Sequence, residues 1–471
     1  KHDCKLKLDW MKTTTSFFLL TLISFSIIAQ KNQDKMNSIS KAAPSWSQNA
    51  NIYEVNIRQY TPEGTFNAFA KSLPRLREMG VDILWLMPVF PIGELNRKGG
   101  LGSYYSISDY KSVNPNFGNM ADLDAIIAKA HQLGMKVILD WVANHTSFDH
   151  VWTKTHPEWY NRDAQGNILV PADNDGKLTD WTDVADLNYN NKEMRQEMIN
   201  DMLFWVKDHK VDGFRCDVAG FVPLDFWQDA KNQLDKQGQY FMLAEDESPQ
   251  FHDNAFHMSY AWSIHHKMIE VAKDKAPASA ITKLILEDQK KFPKDAYRML
   301  FIDNHDENSW HGTIRSRFGK GYMTFAVLTY TLPGMPLIYS GQEATLNKTL
   351  RFFEKDTIDF KNYPMQDFYT KLNALKHDNV ALGNGSSGGK FLVINNSKPN
   401  DVLTFVRKNG ENEIFVATNL SSKSSKVKFS GKNVFTGGTY IDYFTGKKLI
   451  FHTSSELSLG PWDYKIYIKE N

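Results

Sequence analysis

Six side chains stand at the polar ends of apolar runs, and their types suit one kind of chemistry. The runs are MKVILDWVANH (135–145), VDGFRCDVAG (211–220), QYFMLAEDES (239–248) and YRMLFIDNHD (297–306); they deliver His145, Arg215, Asp217, Glu245, His305 and Asp306. An apolar run is readily buried, whereas a carboxylate at its end has to be solvated, paired or used, so several such endings point to a convergent site. Carboxylates, histidines and an arginine in one place can cleave an acetal with retention. One carboxylate attacks the anomeric carbon, and a protonated one gives its proton to the departing oxygen. Arg215 lies two residues before Asp217 on an expected strand, so both face the same side, and a fixed positive charge favours the ionised aspartate. Read alone, this pair is equally a structural ion pair, and the run Glu245, Asp246, Glu247 is more often a solvated loop. Only the four segments together outweigh those readings.

These residues need a frame that brings strand ends to one rim. Candidate strands fall at 51–60, 81–89, 136–143, 213–218, 240–246, 255–262, 297–305 and 335–342, with helical patterns such as FNAFAKSLPRLREMG and MADLDAIIAKAHQLG between them. Eight strands alternating with helices predict an α/β fold, a (β/α)8 TIM barrel over 49–383 whose sites lie at the C-terminal ends of the strands. Residues 146–190, rich in Asp, Asn, Trp and Pro, break the rhythm and predict a small inserted domain. NGSSGG (384–389) marks a linker, and alternating runs such as VLTFVRK and EIFVATNL predict an antiparallel β-sandwich over 384–471.

DWVANH, GFRCDV, the glutamate of LAEDES and FIDNHD resemble, in order and spacing, the four signature segments of the α-amylase family of glycoside hydrolases, family 13. GSYYSISDYKSVNPNFG (102–118), ADLN (185–188) and GMPLIYSGQE (334–343) extend the resemblance from about Asn51 to the C-terminus. It implies that Asp217 is the nucleophile, Glu245 the acid/base and Asp306 a third carboxylate that holds sugar hydroxyls. His145 and His305 match the histidines that bond the sugar. Of Tyr104 and Tyr105, counting back from Asp109 favours Tyr105 as the aromatic platform under the bound glucose. The insertion matches the family's domain B and the sandwich its domain C. Asn144 and Asp186 match ligands of a structural Ca²⁺ in many α-amylases, and amide and carboxylate oxygens suit that ion. The chain departs from the family in two places: Asp246 and Glu247 follow the acid where apolar residues are usual, and Gly220 and Phe221 replace a Lys-His pair. The substrate implied is an α-glucan or maltooligosaccharide. Attack on internal α-1,4 bonds is expected because the connections after strands three, four and seven are modest. The alternatives are an oligosaccharide- or cyclodextrin-hydrolysing enzyme, a glucanotransferase, or a non-catalytic sugar-binding relative, although all three carboxylates are present.

Composition agrees with a soluble enzyme. The chain has 471 residues, 42% of them hydrophobic, and a formal charge of +1 from 55 basic and 54 acidic side chains, so no nucleic-acid or anionic-surface partner is expected. From Met11 the chain reads MKTTTSFFLLTLISFSIIAQ, an export signal with a cleavage point near Ala29 and an apolar stretch too short for a comfortable span. Residues 1–29 are thus expected to be removed with their N-terminal extension, residues 30–48 to be a flexible lead-in, and the mature protein to be an exported monomer, periplasmic or secreted, with no transmembrane segment. Of two cysteines, Cys4 and Cys216, only Cys216 would survive cleavage, so no internal disulfide is expected. No His or Cys spacing suggests zinc.

Overall fold

The computed structural model describes residues 42–173, 175–430, 437–452 and 455–470. The expected export signal, Cys4 and the lead-in up to residue 41 lie outside the described residues.

Eight parallel strands close into a barrel: β1 (Ile52–Val55), β2 (Ile83–Leu86), β3 (Lys136–Val142), β4 (Gly213–Asp217), β5 (Phe241–Ala244), β6 (Met258–Tyr260), β7 (Tyr297–Leu300) and β8 (Met335–Tyr339). Their order around the barrel is their order in the chain, and β1 pairs with both β2 and β8. A parallel strand covered on both faces can be apolar throughout; all four residues of β2, ILWL, are buried. Each strand is shorter than its candidate run. Residues 57–60, expected to prolong β1, form a helical turn instead. There Arg58 bonds the carbonyls of Gly102 and Phe352, and Gln59 those of Arg351 and Glu354. On a strand, neighbouring side chains would point to opposite faces and could not share that task.

The crossover from β2 to β3 shows how local sequence sets the helices. Asn119 caps helix Met120–Gln132 in a reciprocal box with Asp122, and Leu123, Ile126, Ile127 and Ala130 place one buried stripe on the barrel. Each large side chain so buried contributes about 1.5–3 kcal/mol. At the start of β4, Gly213 takes φ 154°, and a Cβ there would lie 1.9 Å from the Phe241 carbonyl oxygen, so only glycine lets β4 and β5 approach.

Between β3 and β4, strands His145–Ser147 and Val184–Asp186 pair antiparallel and bracket the irregular insertion. Beyond the barrel, antiparallel strands form a six-stranded and a three-stranded sheet around Val406, Phe415, Phe429, Phe451 and Tyr467. The stretch read as a linker is a bonded joint: buried Asn384 donates to the carbonyls of Ser47 (2.8 Å) and Ala50 (3.1 Å). Two buried cations lie beside it. Lys376 donates to Leu382 O (2.7 Å), Asn384 Oδ1 (2.8 Å) and Gly334 O (3.3 Å), and Arg407 to Thr331 O (3.0 Å) and Gly389 O (3.3 Å). Gly334 immediately precedes β8, which places this pair at the base of the barrel. Among the described residues no helix is long and apolar enough to cross a membrane.

Candidate active site

Arg215 organises the rim. Fully buried on β4, its Nη1 donates to Asp140 Oδ1 (2.8 Å) and Asp217 Oδ1 (3.0 Å), and its Nε to Tyr260 Oη (3.1 Å). Nη2 lies 2.9 Å from Glu245 Oε2, an ion-pair contact without hydrogen-bond alignment. Three carboxylates thus share one guanidinium, and burial pushes the pKa of all three upward. The Glu245 charge pushes Asp217 up further, and the Asp306 charge does the same to Glu245. One guanidinium cannot compensate three buried charges, so the cluster favours keeping at least one proton.

Glu245 is aimed by a strained backbone. It follows β5 directly, and its Oε2 accepts the Val218 N–H at 2.8 Å. Val218 presents that N–H from φ 34°, a left-handed conformation that opposes a β-branched side chain.

Asp306 reaches the site by another route than expected. Strand β7 stops at Leu300, and His305 and Asp306 open a helix, His305–Trp310, whose N-cap Asn304 accepts from Glu307 N at 2.7 Å. His305 Nδ1 lies 2.6 Å from Glu54 Oε1, and Nε2 lies 2.7 Å from Tyr105 Oη and 3.3 Å from Asp306 Oδ2. Burial opposes the charge on His305, yet Asp306 and Glu54 together raise its pKa to about 9. This histidine is therefore a cation at neutral pH. His145, by contrast, is lowered to about 3 by burial, and its Nδ1 faces the Asn144 amide nitrogen at 3.2 Å. It is a neutral imidazole.

Tyr105, not Tyr104, faces the cleft. Tyr105 stacks near His305 (centroids 5.4 Å apart, 26°) and donates to Asp140 Oδ2 at 3.1 Å. Tyr104 is turned away, its ring 3.9 Å below the Arg58 guanidinium. Tyr105, His145, Asp217, Glu245, His305 and Asp306 line one cavity of about 560 Å³, and Arg215 is buried behind Asp217 and Glu245. Trp181 of the insertion and the exposed Trp310 complete its walls. At the positions that replace the family's Lys-His pair, Phe221 stacks on Trp181 (6.0 Å, 21°), and Gly220 leaves room for Asp246, whose Oδ2 would lie 2.3 Å from a Cβ.

Asn144 and Asp186 do not join this cavity. They line a neighbouring one of about 420 Å³, together with Asn161, whose Nδ2 donates to Asp186 Oδ2 at 2.7 Å. Burial raises the Asp186 pKa to about 6, and no cationic side chain pairs with it among the described residues. Among those residues no three His, Cys, Asp or Glu side chains converge as a metal site; the donors here are one carboxylate and two amides, a set whose chemistry fits a hard cation.

Sequence reasoning missed Asp140, Glu54 and Tyr260. The two carboxylates sit inside apolar runs rather than at their ends, and an acid on the inward face of a buried strand is the signal that would have found them.

A (β/α)8 barrel whose C-terminal rim turns two of the carboxylates on one guanidinium into a cleft, with Asp306 beside a charged histidine in the same cleft, defines a glycoside hydrolase. Residues 29–174 and 177–380 match the family described as Alpha amylase, catalytic domain, so the chain belongs to the α-amylase family. Residues 391–466 match the Maltogenic Amylase, C-terminal domain. α-Amylase MalA of Haloarcula japonica is 26% identical over 398 residues, spanning 82% of this chain and 57% of that protein. α-Amylase 3 of Dictyoglomus thermophilum is 26% identical over 382 residues, spanning 72% of this chain and 70% of that protein. Among solved structures, the noncanonic maltogenic α-amylase AmyB from Thermotoga neapolitana matches with a TM-score of 0.82 at 28% identity, covering 90% of this chain and 99% of that one. An α-amylase from Lactobacillus plantarum matches with a TM-score of 0.80 at 28% identity, covering 91% and 100%.

Proposed function

We propose that the protein hydrolyses α-1,4-glucosidic bonds of starch-like glucans or maltodextrins with net retention. The observation that carries this reading is the shared guanidinium. Asp217 and Glu245 both lie within 3.0 Å of Arg215, which holds them close, and retaining glycosidases keep their two carboxyl groups only about 5–5.5 Å apart. Arg215 is aligned for a hydrogen bond with Asp217, which favours its charged form, and the acid role assigns the cluster's proton to Glu245. Asp217, ionised, attacks the anomeric carbon while Glu245 protonates the departing oxygen, and Glu245 then deprotonates the water that releases the sugar. Asp306 and the charged His305 hold hydroxyls of the bound sugar. Tyr105 supplies its apolar face, and neutral His145 supplies a further polar contact. NMR of fresh products should show the α-anomer first; an initial β-anomer overturns the reading.

Asn144 and Asp186, with Asn161, would hold a Ca²⁺ whose role is structural. It would compensate the buried Asp186 charge and tie the end of β3 to the insertion that walls the cleft. Export is proposed from the basic, apolar segment ending near Ala29. Mass spectrometry of the mature N-terminus tests it, and an intact residue 11 would rule it out.

A further inference from the structure

The connection from β2 to the helix at Met120 carries Tyr105, and it also contains a strap, residues 95–101, tied to both walls of the cleft. On one side Lys98 Nζ donates to Asp180 O (2.8 Å) and lies 3.3 Å from Asp183 Oδ1, both on the insertion. On the other, Gly100 N donates to Glu354 Oε1 (2.7 Å) and Leu101 N to Phe353 O (2.9 Å), on the connection that follows β8. The contact is too close for side chains: a Cβ on Gly99 would lie 2.5 Å from Phe353 Cβ, and one on Gly100 2.7 Å from Glu354 Oε2. Arg58, itself buried, clasps the two connections together by donating to the carbonyls of Leu101, Gly102 and Phe352. Lys98, Asp183 and Phe353 all line the cavity that holds Asp217 and Glu245.

The barrel order says which end of the cleft this strap closes. It spans the sector from β8 through β1 and β2 to β3, whereas Glu245 leaves β5 on the opposite side. The acid protonates the departing oxygen, so the leaving sugar lies towards β5. The sugar captured by Asp217, and any unit on its non-reducing side, lies towards the strap. We infer that residues 95–101 end the donor side of the cleft, so that the protein takes the non-reducing ends of maltooligosaccharides and trims short units from them rather than cutting chain interiors. This inference rests on the glycosidase reading above. A chain interior needs room on both sides of the cleaved bond, and a strap bonded to both walls leaves none on one side.

Maltoheptaose and maltoheptaose blocked at its non-reducing end by a 4,6-ethylidene acetal separate the possibilities, with products followed by chromatography. The free sugar should be cleaved, and the blocked one at no more than roughly a hundredth of that rate. Cleavage of both at similar rates would overturn the strap while leaving the glycosidase reading intact; cleavage of neither would overturn the glycosidase reading and the inference with it. Lys98→Ala, which removes the side-chain tie to Asp180 and Asp183 and leaves the Leu95 bond to Asp149 in place, should raise the blocked-to-free ratio by about tenfold. An unchanged ratio, with the free sugar still cleaved, would show that the strap is not what excludes chain interiors.

Discussion

The two ends of the barrel bury charge in opposite ways. At the rim, acids outnumber cations: Asp140, Asp217 and Glu245 crowd Arg215, and Glu54 and Asp306 flank His305. At the base, Lys376 and Arg407 are buried with carbonyl and amide oxygens as partners and, among the described residues, no carboxylate. Neutral dipoles compensate a cation incompletely, so burial lowers Lys376 to about 7 and Arg407 to about 10. The base uses its cations to gather backbone from the barrel, the joint and the C-terminal domain. The rim uses surplus carboxylates to hold a transferable proton near a nucleophile. Excess charge of one sign marks the reactive end, and charge dissolved among dipoles marks the structural one.

Removing a rim carboxylate tests this contrast most severely. Asp217→Asn should lower kcat on maltoheptaose by about 10⁴-fold or more, with the melting temperature unchanged or raised because a crowded charge is gone. A modest loss of activity with a large loss of stability would make Asp217 a structural acid like those elsewhere in the fold. Glu245→Gln should cost about 10²–10⁴-fold on maltooligosaccharides, whose leaving group needs a proton, and far less on a maltosyl fluoride, whose leaving group needs none. Equal losses on both would remove Glu245 from the acid role.

The next effect is smaller and opposite in sign at the two ends. His305 is raised from 6.5 to about 9, so its charge stabilises the fold fully below pH 6.5, and that contribution is lost as pH rises through 9. Lys376 is lowered from 10.5 to about 7; its charge costs stability below pH 7, and the cost is relieved as pH climbs towards 10.5. Between these limits the rim weakens while the base strengthens, each by on the order of 2–4 kcal/mol. Denaturant melts from about pH 7 to about pH 9 should therefore show a shallower decline in Glu54→Gln, which lacks the partner of His305, and a steeper one in Lys376→Met. Parallel profiles in both variants would erase the distinction.

The smallest effect concerns calcium. Chelation should lower the melting temperature by a few degrees, and added Ca²⁺ should restore it by mass action. Asp186→Asn should abolish the response, while the metal-free variant melts no lower than metal-free wild type because a buried, unpaired charge has been removed. Persistence of the calcium response in that variant would move the ion elsewhere.

Much of this was legible in the sequence. Continuous apolar runs alternating with helical patterns disclosed the eight strands, and the polar ends of four of them disclosed Arg215, Asp217 and Glu245. What stayed hidden depended on partners distant in sequence. Glu54 and His305 are 251 residues apart, and nothing in NIYEVNI says that its glutamate turns inward to a histidine. Asp306 was found by motif while its support was misjudged, because an N-cap such as Asn304 looks like any polar strand end. The strap was hidden for a third reason. LNRKGGLG reads as an ordinary surface loop, and its reach across the cleft exists only once the insertion and the β8 connection stand on either side.

Cys216, fully buried on β4 between Arg215 and the nucleophile, gives the fold a chemical clock. Burial pushes its thiol far above the ordinary range, so a thiol reagent finds no reactive sulfur there while β4 is seated. In a Cys4→Ser background, each labelling event would record one opening of the strand that carries Asp217. With enough reagent that labelling outpaces reclosing, the rate of uptake would measure how long the reactive centre survives between unfoldings, a half-life rather than an equilibrium constant.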